Sequence, residues 1–232
     1  MRAIAEMVVG DARDDKSLLL ARLTDWVYHN QGFQKNSHYF AIREFGPTAT
    51  QVLQHGGDCA DKSRLLSAIL RELGVDSTLV MLYSKNDLKP THTVVETRED
   101  GFFAVADPVF NIVFPDKQGR LLGLRELRKN TDILVGRVRD LGGIRGKNDK
   151  VNFYKMATES YEIPKTINWD KNILTRAAFQ LVGLWSDDPY LVGRPMFLEN
   201  PYVLSFVLCA GMAVTTMLVG WGIRGRKDKQ PL

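Results

Sequence analysis

Cys59 stands directly after two glycines, in the run Gly56-Gly57-Asp58-Cys59, and opens a strong helical pattern. A thiol at a helix N-terminus meets unpaired backbone N–H groups and the positive end of the helix dipole. Both favour the nucleophilic thiolate. The two glycines let a substrate backbone come close. A single cysteine on an apolar helix face also serves as plain core packing, so Cys59 needs partners before it counts as chemistry. His92 begins one strand-like run and Asp107 ends the next, just before Pro108. If Asp100-Gly101 is a two-residue turn, Val94 faces Asp107; if Arg98 to Gly101 is a four-residue loop, His92 faces Asp107 directly. The two registers differ by two residues, so both place His92 and Asp107 on one sheet face. A carboxylate beside an imidazole fixes its tautomer and stabilises its cation, leaving the other ring nitrogen to take a proton from Cys59.

Other polar groups near this motif carry weaker signals. The Cys59 backbone N–H is a candidate oxyanion donor, and Gln51 or Gln54 could supply a second, although either also reads as an ordinary polar helix residue. His55 sits on the same short connection as Cys59 with no carboxylate strand beside it, which argues against it as the base. Asp58 and Asp61 read as cap and dipole partner. Cys209 lies in a long apolar run and reads as inert packing.

The elements that must position these residues follow from periodicity. Leu18, Leu19, Leu20, Leu23, Trp26 and Val27 predict a helix over Lys16 to His29, with Asp14 and Asp15 ahead of it and Gly32 after it. A short helix is expected at Thr48 to Leu53. Cys59, Leu66, Ile69, Leu70 and Leu73 share one helix face, with Asp61, Lys62, Arg64, Arg71 and Glu72 mainly on the other. Asp58 suits the N-cap and Gly74 the left-handed residue that closes the helix. The period then changes to two, predicting strands at Ser77–Tyr83, Thr91–Thr97 and Phe102–Ala106, with a hairpin signal at Glu99-Asp100-Gly101. Leu121 to Leu127 reads as a short helix, and Arg137 to Lys150, with three glycines and a basic excess, as a solvated loop. Helical spacing returns over Trp169 to Trp185, and Asp187 to Pro201, with three prolines, reads as a linker.

Taken together, the stretch GDCADKSRLLSAILRELGVDSTLVMLY, then HTVVE, then FFAVADPVF, resembles the core of the transglutaminase-like superfamily. The resemblance covers roughly Leu18 to Phe114. It implies a papain-like site on an α+β fold, in which a helix carrying the cysteine packs on an antiparallel sheet carrying the histidine and aspartate. By match to the family's motifs, Cys59 would be the nucleophile, His92 the general base and then acid, and Asp107 the orienting carboxylate. Two features depart from the pattern. Val94 stands where many members carry an aromatic residue two places after the histidine, and Asp58 and Ala60 flank the cysteine where the cross-linking animal enzymes have Gln-Cys-Trp. Cross-linking is thereby disfavoured, while hydrolysis or another acyl transfer stays open. No metal or organic cofactor is implied.

Composition narrows the classes. The 232 residues are 44% hydrophobic and 25% charged, which excludes a wholly disordered or collagen-like chain. Two distant cysteines and four histidines imply neither a disulfide framework nor a Cys/His zinc cluster. Of the net charge of +4, the last nine residues hold +3, leaving 27 basic against 26 acidic groups elsewhere; that balance speaks against a nucleic-acid surface. From Pro201 to Ile223 there is no charged residue. Val203 to Ile223 would span roughly 31 Å as a helix, matching a hydrocarbon core of about 30 Å, with Tyr202 and Trp221 near its ends. A transmembrane anchor followed by a basic tail is expected. The flanking charges place the body outside and the tail in the cytoplasm, although the N-terminal residues form no signal peptide, so that orientation calls for an upstream start.

The expected organisation is a transglutaminase-like core over 1–127, an extension and linker over 128–200, a transmembrane helix over 201–223 and a basic tail over 224–232. The expected activity is a thiol attack on an amide or peptide bond through an acyl-enzyme, with a peptide or protein substrate, the lipid bilayer as a second partner and no nucleic acid. The rival expectation is a non-catalytic binding or scaffold module that keeps the fold. Oligomeric state is left open.

Overall fold

The computed structural model describes residues 1–35, 37–86, 88–99, 101–154 and 159–227. Asp100 in the hairpin turn and residues 228–232 of the basic tail lie outside the described residues.

Helix α1 (Arg2–Val9), unread in the sequence, buries Ala5 and Val9. Helix α2 (Lys16–His29) follows, capped by the Asp15 carboxylate, which accepts from the Leu18 amide at 2.9 Å. Helix α3 (Ala49–His55) opens on a reciprocal cap: Thr48 Oγ1 accepts from the Gln51 amide, and Gln51 Oε1 accepts from the Thr48 amide. Helix α4 (Cys59–Glu72) leads into the sheet.

The sheet has five strands, β1 (Ser77–Tyr83), β2 (Pro90–Thr97), β3 (Val105–Asp107), β4 (Ile112–Val113) and β5 (Pro164–Lys165), in the order β4-β3-β2-β1-β5. All four pairings are antiparallel. Of the two registers open in the sequence, the structure takes the two-residue turn: Val95 pairs Ala106, Glu96 pairs Val105, and Glu99 bridges Phe102. Alternation then divides the core. On one face Val95, Ala104 and Ala106 meet Leu65, Leu66, Ile69 and Leu70 of α4 and the inner sides of α1 and α2. On the other, Val80, Leu82, Val94 and Val105 meet helices α5 (Leu124–Lys129) and α6 (Thr131–Arg145), with Tyr154 and Tyr161. The chain is thus α+β, with α4 against β1 and β2.

Three readings need correction. Residues 137–145, expected in a solvated loop, belong to α6, which buries Leu134, Val138 and Leu141. Three glycines lower helix propensity there, and tertiary packing overrides it. At Gly142 a Cβ would sit 2.8 Å from Asn152 Oδ1, so a larger residue there would make the Asn152 side chain move. Asp61 and Lys62, placed on the polar face of α4, are buried. The Lys62 ammonium donates to the carbonyls of Val27, Tyr28 and Asn30 at 2.6, 3.0 and 3.0 Å, closing the C-terminal end of α2. Burial lowers its pKa to about 8, with the charge of Lys150 adding to the effect.

The stretch from Asp187 is also packed. Glu199, in the short helix α8 (Met196–Glu199), accepts from the Leu79 amide at 3.3 Å and from Arg71 at 3.2 Å, while its carbonyl accepts from Arg64 Nε at 3.2 Å. Helix α7 (Ile173–Val182) occupies part of the 169–185 stretch. Helix α9 (Pro201–Lys227) closes the described chain; Pro201–Trp221 is long and apolar enough to cross a membrane, with Pro201 buried at its root and the span exposed from Phe206 to Trp221.

Candidate active site

The turn into α4 is built by two glycines and two carboxylates. Gly56 has φ of 72°, and a Cβ there would meet the Gln31 carbonyl at 2.7 Å. At Gly57 a Cβ would lie 2.4 Å from Asp61 Cβ, so only glycine lets Asp61 fold back over the turn. Asp58 accepts from the Ala60 and Asp61 amides at 2.9 and 3.2 Å, and Asp61 Oδ2 returns a bond to the Asp58 amide at 3.2 Å. Burial, then the neighbouring Asp58 charge, raises the Asp61 pKa to about 6 against the pull of Arg64, whose guanidinium lies 3.0 Å from Oδ1. Cys59, half-buried, is the first residue of the helix so capped. The cap brings two carboxylates to its own turn.

The positive charge facing the thiol comes from the sheet. Val94 and Val105 share a face, and two residues further along each strand lie His92 and Asp107. His92 Nε2 meets Asp107 Oδ2 at 2.6 Å, with His92 only 7% exposed and Asp107 fully buried. The Cys59 side chain hydrogen-bonds the same ring. Nε2 being engaged by Asp107, Nδ1 is the nitrogen left for it. Burial pulls the His92 pKa down, but the Asp107 carboxylate, with Cys59 adding to it, overcomes this and raises it to about 10. The carboxylate thus favours the protonated ring.

Asp107 is itself fixed. Its Oδ1 accepts from the Val109 and Phe110 amides at 2.9 and 3.1 Å, the turn that Pro108 begins. Its carboxylate also accepts a hydrogen bond from the Tyr154 hydroxyl, which shares a second hydrogen bond with the Tyr161 hydroxyl. Burial first and the Asp107 charge next push both phenols well above their ordinary pKa, so both remain donors. The Tyr154 and Phe110 rings meet His92 edge-on, with centroids 6.1 and 5.5 Å away. Neither tyrosine was legible as a site residue. They fall in a stretch without periodicity, and nothing local marks them as partners of Asp107.

The remaining candidates lie elsewhere. Gln51 Oε1 is held in the α3 cap, and its Nε2 donates to the Tyr39 carbonyl at 3.2 Å. Gln54 is exposed. His55 stacks on His38, centroids 3.8 Å apart, and stands outside the His92–Asp107 pair.

Against known proteins, residues 2–108 match the sequence profile described as the transglutaminase-like superfamily. No curated protein matches the chain. A crystal structure described as "a Putative Cysteine Protease from Cytophaga hutchinsonii" is similar at 20% identity and a TM-score of 0.38, over 52% of this chain. The chain spans 39% of that protein's chain.

Proposed function

We propose, from a chain whose residues 2–108 match the transglutaminase-like superfamily, that the protein is a thiol enzyme acting on an amide or peptide bond. The observation that carries this reading is His92 placed between Asp107, at 2.6 Å, and the Cys59 thiol. The attacking form of the Cys59–His92 pair is the one with the shared proton on His92. Cys59 Sγ attacks the carbonyl carbon, and the Cys59 amide is the nearest oxyanion donor by its place at the helix start. The C–N bond breaks, and the departing amine takes the proton from His92 Nδ1. Water then gives a proton to His92 and its oxygen to the thioester carbonyl. The C–S bond breaks, an acid is released and the Cys59–His92 pair is restored. Asp58 and Ala60, in place of a Gln-Cys-Trp run, favour water over a protein amine as acceptor.

The body of this enzyme comprises the core over 1–127 and the extension over 128–200, carried on a membrane anchor over 201–223. The basic 224–232 tail favours the cytoplasmic side, with the body outside. Protease added to right-side-out vesicles should degrade the body and spare a tail epitope; the reverse pattern overturns this orientation.

The chemistry is tested by acyl trapping on the full chain carrying Cys209→Ser. An activated ester should leave its acyl group on Cys59, detected as a mass adduct, and His92→Ala should slow its formation at least about tenfold. An adduct that forms at the rate of an ordinary exposed cysteine, indifferent to His92→Ala, overturns the enzyme and favours the binding module.

A further inference from the structure

Helix α7 is amphipathic in the wrong direction for a soluble body. Its residues advance by about 100° each, so Ile173, Leu174, Ala177 and Leu181 form one stripe. The helical turn continues past Val182 through the bond from the Ser186 amide to the Val182 carbonyl, which brings Leu184 and Trp185 onto the same stripe. Phe179 points the opposite way. It packs between Trp169 and Tyr190, centroids 5.5 and 5.0 Å away, and pins the helix to the body. Every member of the stripe is exposed, Ile173 by 81% and Trp185 by 90%. No charged side chain interrupts it, and exposed Lys171 and Arg176 stand at its margins.

We propose that this stripe lies in the interface of the same bilayer that residues 201–221 cross, a second and peripheral membrane contact that sets the orientation of the body. The inference rests on reading 201–221 as a membrane span. The span is what selects the occupant: fifteen residues separate Trp185 from Pro201, and within them 194–199 are fastened to the body. A stripe so close to a tethering helix meets lipid before it meets any other apolar surface. An indole at its end suits the headgroup level, and basic groups at its margins suit lipid phosphates.

The test uses the full chain in phosphatidylcholine–phosphatidylglycerol vesicles whose acyl chains are brominated near the headgroup, a contact quencher of tryptophan. Trp185→Phe should remove a lipid-quenchable share of the emission, and Leu181→Glu should shift the Trp185 emission to the red and open it to aqueous iodide. Trp185 quenched by iodide and untouched by bromolipid in the wild-type chain overturns the proposal, since the stripe is then in water. Protection from both quenchers also overturns it, since protein then covers the stripe. Trp221→Phe reports separately on the span. If Trp221 contributes nothing that bromolipid quenches, the span reading falls and takes this proposal with it. If Trp221 is quenched and Trp185 is not, only the interfacial contact is lost.

Discussion

Helices α4 and α7 carry the same kind of pattern and use it in opposite ways. In α4 the apolar side faces the sheet, and several polar groups, Asp61, Lys62, Ser63 and Ser67, are buried as well. In α7 one aromatic ring holds the helix down while its apolar stripe faces outward. Periodicity reports that a stripe exists; what covers it is decided by partners far away in sequence. The buried polar groups of α4 are satisfied by specific partners: Lys62 by the carbonyls at the end of α2, Ser63 by the Thr93 carbonyl at 3.0 Å, Ser67 by the Ser77 hydroxyl at 2.9 Å. Unfolding and labelling experiments on the full chain in micelles can break or sharpen this contrast.

The largest effect is expected at Lys62. Lys62→Ala strips three carbonyls at the end of α2 of their donor and opens a void, and should cost about 3 kcal/mol or more in urea unfolding. Lys62→Met, which keeps the volume, should cost less. A loss below about 1 kcal/mol for the alanine variant would mean that water satisfies those carbonyls and that α4 is no more dry than α7.

A pH signature comes next. His92 has its pKa raised from 6.5 to about 10, so the folded chain binds the extra proton and stability falls as pH rises through that window. Lys62, lowered from 10.5 to about 8, works in the other direction above about 8, where the unfolded chain binds more protons. Stability should therefore fall by about 2 kcal/mol between about pH 6.5 and 8 and then level off. His92→Gln should abolish the fall and leave a rise above about pH 8. A wild-type chain whose stability is flat across the lower window would show that His92 is not held as a cation.

Tyr154→Phe should cost about 1 to 2 kcal/mol, because it removes one donor from the buried Asp107 carboxylate. It should also move the pH dependence of Cys59 labelling, which a purely structural tyrosine would leave in place. Identical labelling profiles in the two proteins would detach Tyr154 from the site.

The smallest effect is expected on the outward apolar stripe of α7. Leu174→Ser with Leu181→Ser should change stability in micelles by no more than about 0.5 kcal/mol, as at a surface free of protein contacts. A loss of about 2 kcal/mol or more would place a protein neighbour over the stripe and erase the contrast with α4.

Much of the candidate site was legible because its parts are local. Gly56, Gly57 and Asp58 announce the start of α4, and both hairpin registers bring His92 and Asp107 to one face. Lys62 was misplaced because a charged residue at a helical period reads as solvent-facing until the carbonyls of α2 are known. Helix α6 was hidden by Gly136, Gly142 and Gly143, whose low propensity is offset by packing against β4 and the turn before it; Arg137 donates to the Val113 carbonyl and Arg145 to the Phe110 carbonyl. The two tyrosines behind Asp107 come from beyond the matched segment, and only the folded chain brings them there.

Glu199 has a mechanical consequence. Two residues before the membrane-length helix begins, its side chain is bound to the edge of β1 and to Arg71 of α4, the helix that starts at Cys59. A thiol site on a slack tether would sweep a hemisphere of solution as wide as the tether is long. If that helix spans a bilayer as proposed, a stalk gripped at its root makes the body turn with the helix as one lever, and Cys59 would patrol a thin sheet of space at one height above the lipid. Its encounters would then be governed by lateral diffusion in two dimensions. Polypeptides presented at that height would be met often, and those held much nearer to or farther from the membrane hardly at all.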